Sequence, residues 1–463
     1  MNDTINPDTP ALISENKIIT HNQLTKLQRD YVKDIAPRSL IIIICSNTLD
    51  SVIFYTACIK SKIIPMLVDI DISSDRLSDL VKRYQPDYVF APENRVITEN
   101  MENIRKYETY TLYRTHKTET FYINNELALL LSTSGSTGSS KFVRISYENI
   151  KSNTESIIRY LNITENDVAI TTLPMSYTYG LSVINTHLYA GGTVVVTERK
   201  MIKQEFWELV YKHKVTSISG VPFTYEVLNR IGLNKIKNSY IRTMTQAGGK
   251  LSEELQSCIG DFAKDNGINF YIMYGQTEAT ARMTYLPPEY VNSKIGSVGI
   301  AIPGGEISIK PCSADKSATK TTGADNYGEI IYRGKNVSMG YAEDLKDLRK
   351  ADEFKGILYT RDLGYIDDDG FLYITGRIDK VVKMFGKRVN LNEVENHLQR
   401  IFIKQFVCLA GNEYLYVYSE DKLEEDRIKR ELYNYIGLEN KSIRYENKIF
   451  RRNLRGKVVG IYE

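Results

Sequence analysis

Short apolar runs alternate with amphipathic helical patterns along most of the chain. The run LIIIIC at 40–45 is continuously apolar, as expected of a strand buried on both faces of a parallel sheet. Runs of this kind predict strands at 40–45, 63–68, 88–91, 127–131, 168–172, 193–197, 215–219, 241–246 and 270–273. Periodic segments between them predict helices at 49–59, 76–84, 147–161, 181–189, 205–212, 222–231 and 251–264. The alternation indicates an α/β protein whose main sheet is parallel and covered by helices on both faces.

The pattern changes after Pro303. The segments GEISIKP, GEIIYRG and GFLYITG alternate apolar and polar residues and are bounded by turn residues, which predicts antiparallel hairpins. The polar stretch at 310–327 predicts a loop at the edge of that sheet. A small, charge-rich α+β segment follows from Asp379. We therefore predict two domains, a large one at 1–377 and a small one at 378–463.

Composition narrows the classes of function. The chain has 463 residues, 42% of them hydrophobic and 25% charged, which is typical of a soluble globular protein with more than one core. Its net charge of +3 is too small to indicate nucleic acid or a membrane as the main partner. The five cysteines are scattered, which argues against a disulfide framework or a zinc site. Because no signal segment and no membrane-spanning apolar run is found, we expect a cytoplasmic protein.

A loop rich in glycine and hydroxyl residues follows the strand predicted at 127–131. Residues 132–141 have the sequence STSGSTGSSK. Glycine lets backbone N–H groups approach an anion, while the hydroxyls add donors and Lys141 adds a positive charge. We predict that this loop binds phosphate ahead of the helix that begins at Tyr147. A flexible linker is the simpler alternative. The P-loop of an NTPase does not fit, because there the lysine directly follows the last glycine.

Further motifs follow in chain order. The shorter ones are LPMSYTYGLSV at 173–183, SGVPFTYEVL at 219–228, QAGGKLSEEL at 246–255, YGQTEAT at 274–280, GEIIYRGKNVSMGY at 328–341 and NLRGKVVG at 453–460. A longer segment at 359–395 contains YTRDLGY and GRIDK.

Together these segments resemble the signature motifs of the adenylate-forming enzymes, which include acyl-CoA synthetases, firefly luciferases and the adenylation domains of peptide synthetases. The resemblance covers nearly the whole chain, from Ile19 to Gly460. It implies a large N-terminal domain of parallel and mixed sheets covered by helices, with a distorted β-barrel, and a small mobile α+β C-terminal domain. It also implies ATP and Mg²⁺ as cofactors, and coenzyme A or a phosphopantetheine arm as the acceptor of an acyl group.

The resemblance implies a role for each motif. Lys457 corresponds to the catalytic lysine, Thr277 to the residue that binds the α-phosphate, and Glu278 to the magnesium ligand. Asp379 corresponds to the hinge of the small domain, and Gly386 to a glycine that lines the thiol tunnel. The implied nucleotide-binding residues are Thr133, Ser134, Gly135, Ser136, Thr137, Gly138, Lys141, Ala247, Gly248, Gly249, Tyr274, Gly275, Gln276, Asp362 and Arg377. The implied acyl pocket comprises Tyr177, Tyr179, Gly180, Val221 and Pro222.

Three positions depart from the family pattern. Arg455, close to Lys457, stands where the family usually has asparagine or glycine. Tyr177 stands where many acyl-CoA synthetases have a histidine, and core packing is the alternative role for both Tyr177 and Tyr179. Arg361 replaces the glycine that usually precedes the ribose-binding aspartate. The arginine side chain must therefore point away from the nucleotide or else contact a phosphate.

The acid to be activated is only partly constrained by the sequence. The segment 173–197 has no acidic residue to hold a substrate ammonium group, although Glu226 is a candidate from elsewhere. We therefore expect activation of a small uncharged acyl, hydroxy or aryl acid, with transfer to coenzyme A or to an acyl or peptidyl carrier protein. The alternatives are a stand-alone amino-acid-activating enzyme, a non-catalytic nucleotide-binding regulator and a luciferase-like oxygenase.

Overall fold

The computed structural model describes residues 5–95, 101–117, 121–132, 141–311, 327–384, 387–411, 414–436, 438–452 and 458–462. By their internal contacts, the residues form two compact units. Unit 1 comprises residues 1–306 and 333–358, and unit 2 comprises residues 307–332 and 359–463. The predicted boundary between residues 377 and 378 concerns the part that is expected to turn during the reaction, and it stays a prediction.

Helices occur in both units. They are α1 (His21–Tyr31), α2 (Leu49–Lys60), α3 (Ser74–Tyr84), α4 (Tyr147–Leu161), α5 (Thr178–Tyr189), α6 (Gln204–Lys212), α7 (Pro222–Ile231), α8 (Asn234–Lys237), α9 (Glu253–Asp265), α10 (Leu391–Phe402) and α11 (Glu425–Ile436). Within the described residues, none of these helices is long and apolar enough to cross a membrane.

Strands also occur in both units. They are β1 (Pro10–Ile13), β2 (Ile18–Thr20), β3 (Leu40–Cys45), β4 (Ile64–Asp69), β5 (Tyr88–Pro92), β6 (Glu102–Lys106), β7 (Tyr110–Arg114), β8 (Leu127–Ser132), β9 (Phe142–Ser146), β10 (Val168–Ile170), β11 (Thr193–Val195), β12 (Ser217–Gly220), β13 (Thr243–Gln246), β14 (Asn269–Tyr274), β15 (Thr284–Leu286), β16 (Ser297–Ala301), β17 (Gly305–Pro311), β18 (Gly328–Gly334), β19 (Tyr341–Ala342), β20 (Ile357–Ile366), β21 (Leu372–Arg377), β22 (Val381–Met384), β23 (Lys387–Asn390), β24 (Phe406–Ala410), β25 (Leu415–Ser419), β26 (Ile443–Asn447), β27 (Phe450–Arg452) and β28 (Val458–Ile461).

Unit 1 contains two large sheets with parallel centres. In the first, the strand order is β16-β15-β14-β13-β12-β10-β11-β1-β2, and the run from β14 to β1 is parallel. In the second, the order is β19-β9-β8-β4-β3-β5-β7-β6, and the four strands from β8 to β5 are parallel. Antiparallel strands lie at the edges of both sheets.

The centre of the second sheet explains the continuous apolar run at 40–45. Ile41 and Ile43 of β3 belong to one hydrophobic cluster, whereas Ile42 and Ile44 belong to another. Successive side chains of a strand point to opposite faces of a sheet. Both faces of β3 are therefore buried, as its sequence predicts.

Unit 2 combines short sheets with two helices. Strands β17, β18, β20 and β21 are neighbours in that order, β22 pairs with β23, and β27 pairs with β28. Strands β24, β25 and β26 form a three-stranded sheet. Its core also contains α10 and α11, through the buried residues Val394, Leu398, Phe406, Cys408, Val417, Ile428, Leu432 and Ile443.

The predicted α/β class with parallel and mixed sheets is confirmed. Helix α7 begins at Pro222 and ends at Ile231, as predicted. Proline suits the first position of a helix because its missing N–H group has no partner there in any case. The helix predicted at 181–189 begins earlier, at Thr178, and thereby takes in part of the LPMSYTYGLSV motif.

One local prediction is wrong. The loop at 132–141 is not followed directly by a helix, because residues 142–146 form β9, which pairs antiparallel with β8. All residues of β9 are buried, including Arg144. Because that charged residue interrupts the apolar run, the sequence pattern does not predict this strand. The loop therefore joins two antiparallel strands, and the N-terminus of α4 lies beyond the second of them.

Candidate functional site

The YGQTEAT motif forms a tight turn at the end of β14. Residues Thr277–Ala279 make one turn of 3₁₀-helix directly after this strand. At Gly275, a Cβ atom would lie 1.7 Å from the carbonyl oxygen of Ala281. Only glycine permits this close approach of two backbone segments. The turn places Thr277 and Glu278 at the carboxyl edge of the parallel sheet, which is where α/β folds bind their ligands.

The segment before β19 forms hydrogen bonds with this turn. The Asn336 side-chain amide donates to the carbonyl oxygens of Ala279, at 2.9 Å, and Arg282, at 3.0 Å. The backbone N–H group of Ser338 donates to the Glu278 carbonyl oxygen at 2.9 Å. Asn336 is buried, so these hydrogen bonds are shielded from water. The GEIIYRGKNVSMGY motif therefore shapes the turn that carries Glu278.

Tyr341, the last residue of that motif, contacts a carboxylate and a cation. Its hydroxyl donates to Glu278 Oε1 at 2.8 Å. The Nζ atom of Lys141 lies 3.8 Å from the centroid of the Tyr341 ring, within the range of a cation–π interaction. In the described part of the chain, Lys141 makes no ion pair with a carboxylate. The predicted magnesium ligand and the predicted phosphate-loop lysine are thus brought together on one aromatic side chain.

A single carboxylate fits the magnesium that the resemblance implies. Among the described residues, no group of three or more His, Cys, Asp and Glu side chains could hold a metal ion. In nucleotide sites, Mg²⁺ is usually bound by one or two carboxylates together with phosphate oxygens and waters. Glu278, with Oε1 engaged by Tyr341, would supply one such ligand, and its role as a magnesium ligand stays a prediction.

The turn after β13 approaches the predicted acyl pocket. Gly248 has a φ of +86°, and a Cβ atom there would lie 2.5 Å from the Tyr177 hydroxyl and 3.2 Å from a methyl group of Val221. A Cβ atom at Gly249 would lie 3.2 Å from Pro222 Cγ. At Gly248 the left-handed backbone and the nearby Tyr177 hydroxyl both favour glycine, whereas at Gly249 a Cβ atom would be a tight contact with Pro222. Predicted nucleotide-binding and acyl-pocket residues are neighbours here.

Tyr179 lies deeper than Tyr177. Its hydroxyl donates to the Thr245 carbonyl oxygen at 2.8 Å, and the Arg282 guanidinium carbon lies 4.4 Å from the centroid of its ring. Burial raises the pKa of the Tyr179 hydroxyl, which therefore acts as a neutral donor. A Cβ atom at Gly180 would lie 2.4 Å from the Pro174 carbonyl oxygen. These contacts favour core packing for Tyr179, and its place in an acyl pocket stays a prediction.

The structure identifies two residues that sequence analysis missed. Asp69, at the carboxyl end of β4, accepts a hydrogen bond from the hydroxyl of Ser176, next to Tyr177. The position of Asp69 at the end of a parallel strand was a usable signal. Tyr341 ends the GEIIYRGKNVSMGY motif, but its contacts could not be predicted because its partners lie far away in the sequence. Glu226, considered as an ammonium-binding group, lies on the exposed side of α7.

In unit 2, the predicted ribose-binding aspartate is paired with an arginine. Asp362 and Arg377 face each other across the β20–β21 hairpin. Arg377 Nη1 lies 3.3 Å from Asp362 Oδ1, and Arg377 Nε lies 3.0 Å from Asp379 Oδ1. Asp362 is buried, whereas Arg377 and Asp379 are exposed. One guanidinium therefore bridges the predicted ribose-binding carboxylate and the predicted hinge residue.

Arg361 has a backbone conformation that favours glycine. Its φ is +61°, and its N–H group donates to Glu329 Oε1 at 3.2 Å. The residue is exposed. For a residue with a Cβ atom, the left-handed conformation costs about 1–2 kcal/mol. This chain therefore carries a strained residue directly before Asp362.

Replacing Arg361 by glycine should raise the free energy of unfolding by about 1 kcal/mol, because glycine adopts positive φ without the Cβ clash. Urea denaturation would measure the change. The matched control is Arg451→Gly in β27, where φ is not positive and glycine should lower stability by about 0.5–1 kcal/mol. A loss of stability in Arg361→Gly would show that the contacts of the arginine side chain stabilise the fold by more than its backbone strain costs.

Some predicted site residues lie outside the described part of the chain. They are Thr133, Ser134, Gly135, Ser136, Thr137, Gly138, Gly386 and Lys457. Of the remaining nucleotide-binding predictions, Ala247 is buried and its N–H group donates to the Gly220 carbonyl oxygen at 3.2 Å. The Gln276 side-chain amide lies 3.4 Å from the Tyr274 hydroxyl. The ligand-binding roles of all these residues stay predictions.

A comparison of the sequence with known protein families identifies the family of this chain. The model of a family described as AMP-binding enzyme matches residues 3–342. The chain belongs to the AMP-binding enzyme family. The resemblance inferred from the motifs is thereby confirmed at the level of the family.

Two curated relatives match part of the chain. The chain is 30% identical over 276 residues to 2-succinylbenzoate–CoA ligase of Geobacillus sp. (strain WCH70), which covers 59% of this chain and 54% of that protein. It is 26% identical over 325 residues to 4-coumarate–CoA ligase-like 3 of Arabidopsis thaliana, which covers 67% of this chain and 57% of that protein. The chain thus spans somewhat more than half the length of these curated relatives.

A solved structure of the family has the same fold. O-succinylbenzoate coenzyme A synthetase (MenE) from Bacillus subtilis, in complex with ATP and magnesium ion, matches with a TM-score of 0.76 and 21% identity. The match covers 98% of this chain and 96% of that chain. At this level of identity, the likeness concerns the fold.

Proposed function

We propose that this member of the AMP-binding enzyme family activates a small carboxylic acid with ATP and passes the acyl group to a thiol. The thiol is that of coenzyme A or of the phosphopantetheine arm of a carrier protein. The observation that carries the proposal is the meeting of Glu278 and Lys141 at Tyr341, beyond the end of β14. A carboxylate for Mg²⁺ beside a cation for phosphate is the arrangement of charge that a bound nucleoside triphosphate requires.

In the first half-reaction, a carboxylate oxygen of the acid attacks the α-phosphorus of ATP. A new oxygen–phosphorus bond forms, the bond from that phosphorus to the pyrophosphate oxygen breaks, and pyrophosphate leaves. No general base is needed, because the acid is already ionised at neutral pH. Lys141 and Lys457 offset the negative charge of the phosphates, and Glu278 would hold the magnesium ion that shares this task.

In the second half-reaction, the thiol loses its proton to solvent, and the resulting thiolate attacks the carbonyl carbon of the acyl-adenylate. A carbon–sulfur bond forms, the bond from carbon to the phosphate oxygen breaks, and AMP leaves. The domain at 378–463 would turn about Asp379, withdraw Lys457 and bring Gly386 to the thiol tunnel. The contacts of Arg377 with both Asp362 and Asp379 support a link between the ribose site and this hinge.

An acyl, hydroxy or aryl acid without an ammonium group is the substrate class that we favour. The two relatives named above carry names that refer to aryl acids, of which 2-succinylbenzoate has a second carboxyl group and 4-coumarate has none. The predicted pocket combines the ring of Tyr177 with the aliphatic side chain of Val221 next to Gly248. Amino acids are the second candidate, because a carboxylate is needed to hold their ammonium group. The carboxylate of Asp69 accepts a hydrogen bond from Ser176, next to Tyr177.

Exchange of labelled pyrophosphate into ATP tests the proposal across fatty, aryl, hydroxy and amino acids. We expect exchange with members of one acid class and none without an acid. Measurable ATP binding without exchange for any acid in the panel would favour a nucleotide-binding regulator. Light emission from candidate adenylates would favour a luciferase-like oxygenase instead. Thioester formation with coenzyme A and with a pantetheinylated carrier protein would then identify the acceptor.

A further inference from the structure

Opposite charges in one site attract each other as well as their ligand. A lysine and a glutamate on flexible side chains pair readily when nothing lies between them. In this structure, both contact Tyr341 instead, Lys141 above the ring and Glu278 at the hydroxyl. Among the described residues, no ion pair joins Lys141 to Glu278. The tyrosine thus satisfies each charge separately.

We propose that Tyr341 is a positioning residue of the nucleotide site. It orients the Glu278 carboxylate for the metal ion through Oε1, and it keeps the Lys141 ammonium group available for phosphate. This inference rests on the proposed function and deepens it. The roles follow from the chemistry of the side chain, since its hydroxyl is a donor to an anion and its ring face attracts a cation.

The strand that carries Tyr341 is firmly held. The buried guanidinium of Arg144 donates from Nε to the Tyr341 carbonyl oxygen at 3.0 Å and from Nη2 to the Met339 carbonyl oxygen at 2.7 Å. The Tyr84 hydroxyl donates to the carbonyl oxygen of Ala342 at 2.9 Å. The backbone on both sides of Tyr341 is therefore fixed by buried hydrogen bonds.

The ring of Tyr341 is also packed. It lies edge-on to the ring of Phe354, with centroids 5.5 Å apart and an interplanar angle of 88°. A fixed ring gives the hydroxyl a fixed place, so the carboxylate of Glu278 adapts to the tyrosine rather than the reverse. Groups that orient a metal ligand in this way typically change metal affinity about 10- to 100-fold when removed.

Removing the hydroxyl alone should weaken the metal-dependent part of ATP binding. For Tyr341→Phe, we expect the affinity for MgATP to fall about tenfold. Affinity for ATP in EDTA should stay at the wild-type value, because the ring that holds Lys141 remains. Isothermal titration calorimetry of the full chain with ATP, with and without Mg²⁺, measures both quantities independently of turnover.

Removing the whole ring should also weaken the binding of ATP in the absence of metal. For Tyr341→Leu, we expect weaker binding of ATP in EDTA, because Lys141 loses its cation–π partner and is free to pair with Glu278. In a Lys141→Gln background, Tyr341→Leu should no longer change binding of ATP in EDTA. This non-additivity distinguishes a role through Lys141 from a general loss of packing.

Tyr189→Phe is the matched control, since it also removes a tyrosine hydroxyl that donates to a carboxylate, Glu155 Oε1 at 2.7 Å, but does not contact Glu278 or Lys141. It should bind MgATP as the wild type does. An equal loss in Tyr189→Phe and Tyr341→Phe, or wild-type MgATP binding by Tyr341→Phe, would overturn the inference alone. Failure of the wild type to bind MgATP would overturn the proposed function and this inference with it.

Discussion

Replacing Lys457 by alanine should lower the rate of adenylate formation by at least about 10²- to 10³-fold, the usual loss when one charge-stabilising donor is removed. The reason is that the proposed lysine bridges the substrate carboxylate and the α-phosphate only while the new oxygen–phosphorus bond forms. Thioester formation from a preformed acyl-adenylate should be largely spared, because the proposed domain rotation withdraws Lys457 before the thiol attacks.

The two half-reactions can be measured separately, by pyrophosphate exchange and by thioester formation from synthetic acyl-adenylate. Lys441→Ala is the control, since Lys441 lies in the same predicted domain and is 82% exposed, and its side chain pairs only with the exposed Glu439 among the residues that the structure describes. That variant should leave both half-reactions at the wild-type rate. Equal damage to both steps in Lys457→Ala would contradict the assignment of this lysine to adenylate formation alone.

Replacing Arg144 by methionine should lower the free energy of unfolding by about 3–5 kcal/mol, as expected when a buried, hydrogen-bonded charge is removed from its partners. The Arg144 side chain is 0% exposed. It donates to the carbonyl oxygens of Met339, Tyr341 and Lys350 and forms an ion pair with Glu353. Methionine fills similar volume but supplies none of these donors, so the buried carbonyl groups lose their partners.

Urea denaturation would measure the loss, and Arg199→Met is the matched control. Arg199 also contacts a carboxylate twice, at 2.6 and 3.0 Å from Glu15, but both side chains are exposed. Removing an exposed ion pair should cost less than about 1 kcal/mol. A comparably small loss in Arg144→Met would mean that the carbonyl oxygens of this segment find other donors.

The prediction for Arg144 also bears on the site. Because this arginine holds the backbone of Tyr341, its loss should loosen the group that contacts Glu278 and Lys141. Stability and nucleotide binding are therefore coupled through one strand of unit 1. Arg144 follows the loop at 132–141, and Tyr341 ends the motif at 328–341. Nothing in the spacing of these two segments reveals that the two residues are neighbours.

Several elements of the fold are determined by the sequence alone. The short apolar run of β3, rich in β-branched isoleucine, is typical of a strand covered on both faces, and burying it removes a large apolar surface from water. Proline at 222 begins α7, and the motif after β14 makes the tight turn that Gly275 allows. In these cases the decisive interactions are local, so they can be recognised from neighbouring residues.

Other features were decided by tertiary structure. Strand β9 contains Arg144, and a charged residue is tolerated there only because carbonyl oxygens more than 190 positions away accept its hydrogen bonds. Asp69 reaches Ser176, and Tyr341 reaches both Glu278 and Lys141, through the packing of distant segments. A sequence pattern records which residues prefer to be buried, and local motifs record turns. It does not record which polar partners the fold brings together, because each such contact depends on the positions of several elements at once.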